Sequence, residues 1–138
     1  MKLYYWRGTG AIAALIRWAT SSEWDHVALG IEIGGVECFI DSMPKTGVRL
    51  VPLAMDPPDS FQQVGAWTPA RLDEALQLLG QPYDLADGFR AMLGLPPRCH
   101  GMNCAEVVAA ILHMQIVPLP REVAREVERV TGNKVVPC

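Results

Sequence analysis

The chain has 138 residues, about the length of one compact domain, and half of them are hydrophobic against a fifth charged. That balance excludes intrinsic disorder and predicts one domain over residues 1–138 with a substantial core. The formal charge of −3, from 15 acidic and 12 basic residues spread along the sequence, leaves no basic stripe for a phosphate backbone and excludes nucleic acid as an expected partner.

The longest apolar run, residues 107–112, is far short of the roughly 18–20 residues needed to cross a bilayer. Residues 1–8 carry aromatic and charged side chains where a signal peptide has its apolar stretch, so the expected location is the cytoplasm. The four cysteines, at 38, 99, 104 and 138, are read as thiols, because a chain this apolar does not need disulfide staples.

Residues 3–6 predict a strand, broken by Gly8 and Gly10 before a helix with Ile12, Leu15, Ile16 and Ala19 on one buried face. A hairpin follows, residues 24–33 and 36–42, joined by Gly34-Gly35. Val27, Leu29, Ile31 and Ile33 form its apolar face, and His26, Ala28, Gly30 and Glu32 a small, polar one. Further strands are expected over residues 48–53 and around 61–67. Thr68-Pro69 starts a helix with Leu72, Ala75, Leu76 and Leu79 inward. Residues 81–84 turn into a shorter helix carrying Leu85, Phe89 and Met92, ended by Pro96-Pro97. Asn103 to Glu106 reads as a capping box opening a buried helix with Val107, Val108, Ile111 and Leu112. A last, charged helix over residues 121–130 has an apolar seam of Val123, Val127 and Val130. Strands early and helices late imply an α+β class.

Cys104 falls in the first turn of the capped helix, where free N–H groups and the helix dipole favour a thiolate; the plain alternative is a core cysteine. His26 lies on the small face of its strand, as a general base would, or as a hydrogen-bonded structural histidine. A two-residue turn at Gly34-Gly35 pairs position 33 with 36 and so position 26 with 43, which leaves Asp41 one diagonal step from His26. Asp41 is therefore the expected orienting group. Glu37, opposite Glu32, sits roughly 16 Å along the strand from His26 and reads as a solvated charge.

Several stretches in this order resemble a known family: residues 7–10 with Leu15-Ile16, residues 22–30 around His26, residues 39–42 leading to Gly47-Val48, Gly80-Gln81-Pro82-Tyr83-Asp84, and residues 103–108 around Cys104. The family is the circularly permuted branch of the NlpC-type, papain-like cysteine peptidases, with its YiiX-like and lecithin retinol acyltransferase-like members. In that branch the histidine strand precedes the cysteine helix, as here. The resemblance covers nearly the whole chain and implies a permuted papain-like domain, an antiparallel sheet packed against helices. It implies a cysteine hydrolase without cofactor, with Cys104 as nucleophile, His26 as base and Asp41 as the third polar residue. Tyr83 would line the substrate cleft and Trp24 would shape it, although both residue types also serve as packing.

The expected enzyme is a peptidase or amidase: its substrate is an amide or ester (a peptide, an isopeptide, a peptidoglycan fragment or a lipid ester), the resemblance slightly favours peptide-type amides, and hydrolysis leads. Lipid acyl transfer and thioester hydrolysis are the alternatives within the same chemistry, and a non-catalytic binding or structural module is the alternative outside it. A zinc site from Cys99, His100 and Cys104, completed by Cys38 or His113, has no second ligand pair at the usual spacing.

Overall fold

The computed structural model describes residues 1–84, 86, 90, 95, 101–115 and 119–137. Six strands form one antiparallel sheet: β1 (Lys2–Trp6), β2 (His26–Ile33), β3 (Val36–Met43), β4 (Gly47–Pro52), β5 (Ser60–Gln63) and β6 (Val136–Pro137), in the order β4-β3-β2-β1-β5-β6. Among the described residues there are four α-helices: α1 (Ala11–Thr20), α2 (Pro69–Gln77), α3 (Cys104–Ile111) and α4 (Pro120–Thr131). The class is mixed α+β. The expected helix carrying Leu85, Phe89 and Met92 lies largely outside the described residues.

Gly34 and Gly35, with φ of 60° and 79°, supply the left-handed backbone of the tight turn, and Ile33 pairs with Val36 as the spacing requires. Helix α3 packs across β2 and β3, so Val107, Val108 and Ile111 meet Val27, Leu29 and Ile40 in the main core. Val123 and Val127 of α4 join them, while Val130, expected in the same seam, is exposed.

Other expectations change. Face-switching in β2 is not apolar against polar: Ala28 and Gly30 are buried beneath Tyr4, Trp6 and Phe39, which form a second apolar cluster on the His26 side of the sheet. A methyl group on Gly30 would come within 2.6 Å of the Tyr4 ring, so the small residues there admit aromatic rings from the neighbouring strands. Ile33, at the turn, is exposed.

Helix α1 is rotated from its expected orientation. Its inward positions are Ala13, Ile16, Arg17 and Thr20, a helical i, i+3, i+4, i+7 set. Arg17 donates to the Gly8 carbonyl at 2.5 Å and to Asp25 at 2.7 Å, and the Gly8 N–H donates to the same carboxylate. That partly buried ion pair fixes the rotation and turns Ile12, Leu15 and Trp18 to solvent, Trp18 being 79% exposed. In α2 only Ala75 is buried; Leu76 is exposed, and the helix ends at Gln77, before the exposed Leu79. The strand expected around residues 61–67 is Ser60–Gln63, and the short β6 beside it had no signal in the sequence.

Candidate active site

Asn103 caps α3 in the expected way. Its side-chain oxygen accepts from the Ala105 and Glu106 N–H groups at 2.9 and 3.0 Å, and Glu106 reaches back to the Asn103 N–H at 2.7 Å. This reciprocal box fixes the first turn of the helix, and Cys104 is its first residue. The Ser42 hydroxyl donates to the Met102 carbonyl at 2.6 Å, so the same turn is tied to β3.

His26 opens β2, paired with Trp6 of β1, whose ring centroid lies 5.4 Å from its own. Its side chain is 15% exposed. Nε2 lies 2.9 Å from Asp41 Oδ2, across the hairpin. Asp41 is fully buried on β3. On its other side Asp41 pairs with Arg49 of β4, whose Nε and Nη2 donate to the two carboxylate oxygens at 2.8 and 3.2 Å. Glu37 is far from this group, opposite Glu32 and bonded to Lys2 at 3.3 Å.

Burial alone would push the His26 pKa down; the charge on Cys104 and hydrogen bonds with Asp41 and Cys104 outweigh it and raise it to about 10. Burial likewise pushes Asp41 up, but the hydrogen bonds from His26 and Arg49 hold its carboxyl below the usual range. Asp41 and Cys104 thus both favour the protonated form of His26.

Tyr83 is carried on a segment wedged between β4 and the start of α3. The Val48 N–H donates to the Gln81 carbonyl at 2.8 Å, Gly80 N–H to Val48 at 2.9 Å, and Met102 N–H to Pro82 at 2.9 Å. Gly101 allows the approach: a Cβ there would stand 2.4 Å from the Pro82 carbonyl oxygen. Burial first, then the charges of Cys104, Glu106 and Asp84, push the Tyr83 phenol well above its ordinary value, so it remains a hydrogen-bond donor. Cys104, His26 and Tyr83 line one cleft, whose other walls include Trp6, Ile12 and Ile16.

Trp24 stands apart from that cleft, its ring 5.6 Å from Tyr5 against the main core. Cys38 is buried near the turn end of the hairpin, and His113 is exposed beside Glu74 at 2.8 Å. Cys99 and His100 lie outside the described residues. Among the described residues, no three His, Cys, Asp or Glu side chains are grouped as metal ligands, and no helix is long and apolar enough to cross a membrane. Sequence reasoning missed Arg49; the signal for it was the tight loop between Met43 and Gly47, which pairs position 41 with 49.

No family model and no curated protein sequence matches the chain. Its fold is similar to the crystal structure of the metalloprotein YiiX from Escherichia coli O157:H7, a DUF1105 protein, with a TM-score of 0.59 and 17% identity. The fold is YiiX-like. The match covers 80% of this chain and 62% of the YiiX chain, so this chain spans less than two thirds of that protein's length.

Proposed function

We propose that the chain is a permuted papain-like cysteine hydrolase that cleaves an amide or ester through an acyl-cysteine. The observation that carries this reading is the position of His26, hydrogen-bonded to Asp41 at 2.9 Å and lining one cleft with Cys104 at the capped start of α3.

An ionised Asp41 can only accept, so His26 Nε2 carries a hydrogen toward it and Nδ1 is left to exchange a proton with Cys104. The Cys104 sulfur, its proton passed to His26, attacks the carbonyl carbon and forms a tetrahedral oxyanion. The Cys104 backbone N–H, which the Asn103 box does not use, and the Tyr83 hydroxyl are the donors on offer to it. Collapse breaks the bond to the amine or alcohol, which leaves with the proton from His26. Water then attacks the thioester, gives its proton to His26, and releases the acid and the Cys104 thiol.

The apolar lining favours one class of acyl group over the others. Ile12 and Ile16 line the cleft, and Ile12 continues outward to the exposed Leu15 and Trp18. An aliphatic acyl chain, from a lipid ester or thioester, suits that wall better than a charged peptide.

Incubation with p-nitrophenyl esters from acetate to octanoate, followed by intact mass, tests both levels. The reading expects an acyl adduct on Cys104, absent in Cys104→Ala, and kcat/KM rising roughly threefold to fourfold per buried methylene, from ~0.8 kcal/mol each. No adduct with any ester contradicts the hydrolase reading. Adducts formed at rates independent of chain length contradict only the aliphatic preference.

A further inference from the structure

Arg49 lies one strand beyond the histidine–carboxylate pair, on the edge strand β4, directly opposite Asp41 in register. Its side chain, 33% exposed, reaches inward to a carboxylate that has no exposure at all, and it engages both oxygens. A carboxylate removed from water is costly unless charged donors replace the lost hydration. His26 provides one such donor only while Nε2 faces it. Arg49 provides two at all times, because a guanidinium does not deprotonate in this range.

We propose that Arg49 is a positioning residue that keeps Asp41 ionised and aligned on His26, so that Cys104 keeps its proton acceptor at mildly acidic pH. This rests on the hydrolase reading of the site. The described groups that act on Asp41 are His26 from β2 and Arg49 from β4, with Cys104 of α3 acting beyond His26 and Asp56 on the far side of Arg49. Of these, Arg49 is the one whose charge persists through the whole range. Without it, a fully buried Asp41 gains a proton as pH falls. A protonated Asp41 no longer supports the imidazolium, and His26 loses both basicity and orientation. With it, Asp41 stays anionic and the relay survives into acid. A purely structural Arg49, stitching β4 to β3, would instead lower reactivity by the same factor at every pH.

The test uses the full chain and the rate of Cys104 alkylation by iodoacetamide from pH 5 to 9, read site by site by mass spectrometry. Arg49→Met is expected to lower the rate about tenfold near pH 5.5, as for a one-unit rise of the acidic limb, and to approach the wild-type rate above pH 8. Arg49→Lys, which keeps the charge and loses the fork, is expected to recover most of the acidic limb. In an Asp41→Asn background, Arg49→Met is expected to add no further pH-dependent loss, since its target carboxylate is gone. A profile for Arg49→Met parallel to wild type overturns the proposal, as does Arg49→Lys behaving like Arg49→Met. If Arg49→Met does not fold, the Lys variant and the double variant carry the same comparison. A wild-type Cys104 no more reactive than Cys38 at any pH overturns the hydrolase reading as well, which separates the two failures.

Discussion

His26 is the residue on which the site's electrostatics converge. Its pKa of about 10 lies above the free value of 6.5, so the folded state holds this proton more tightly than the unfolded chain does. The stabilisation from the His26 proton is therefore full below about pH 6.5 and is lost as pH rises through about 10, while the share from Asp41, held below its usual range, is present above the ordinary carboxylate value and is lost in acid. Cys104 supplies the largest upward push. Replacing Cys104 with Ala should move the imidazole titration, followed by NMR at the His26 Cε1 proton, down from about 10. A titration unchanged by Cys104→Ala would mean that the sulfur and the imidazole do not interact. The contact between His26 and Asp41 was legible in the sequence because Gly34-Gly35 admits one tight turn, and that turn fixes the register back to position 26. Arg49 was not read, since the loop after Met43 has no comparable two-glycine signature, although Gly47 with φ of 66° closes it.

Among the elements, α3 shows sequence and structure in agreement and α1 shows them apart. The Asn103–Glu106 box is local chemistry, complete within four residues, so nothing outside the segment could override it. Asn103→Ala removes the acceptor for two N–H groups at a buried helix start and should cost about 1–2 kcal/mol by urea denaturation. It should also slow Cys104 alkylation, and Asn103→Asp should restore much of both. Loss of stability with undiminished Cys104 reactivity would separate the cap from the site. Helix α1 misled because its apolar spacing is real but its rotation is set from elsewhere. Arg17 finds Asp25 and the Gly8 carbonyl, and Ile12, Leu15 and Trp18 face outward as a result. An ion pair between a helix and a loop eight residues away leaves no periodic trace.

Across the whole molecule, the α+β class and the order of histidine strand before cysteine helix follow from patterns visible in the chain. The small residues on the His26 face of β2 were harder to interpret. Ala28 and Gly30 suggested a wet surface, whereas they make room for Tyr4, Trp6 and Phe39 from adjacent strands. That second cluster is what surrounds His26 and Asp41 with protein, and it gives their charges strength they would not have in water. The sheet order makes the site a product of distant segments: β1 places Trp6 beside His26, β3 and β4 bring Asp41 and Arg49, and α3 brings Cys104 across the sheet.

The account is tested most directly by comparing the alkylation of two thiols in one molecule. Cys104 and Cys38 are almost equally buried, 7% and 6% exposed, so access alone predicts similar rates. With His26 serving Cys104, iodoacetamide at pH 6–7 should modify Cys104 at least about tenfold faster than Cys38. His26→Ala and Asp41→Ala should erase most of that difference, while Glu37→Ala should leave it intact. Equal rates at the two cysteines in the folded wild type, or a Cys104 preference that survives His26→Ala, would contradict the account.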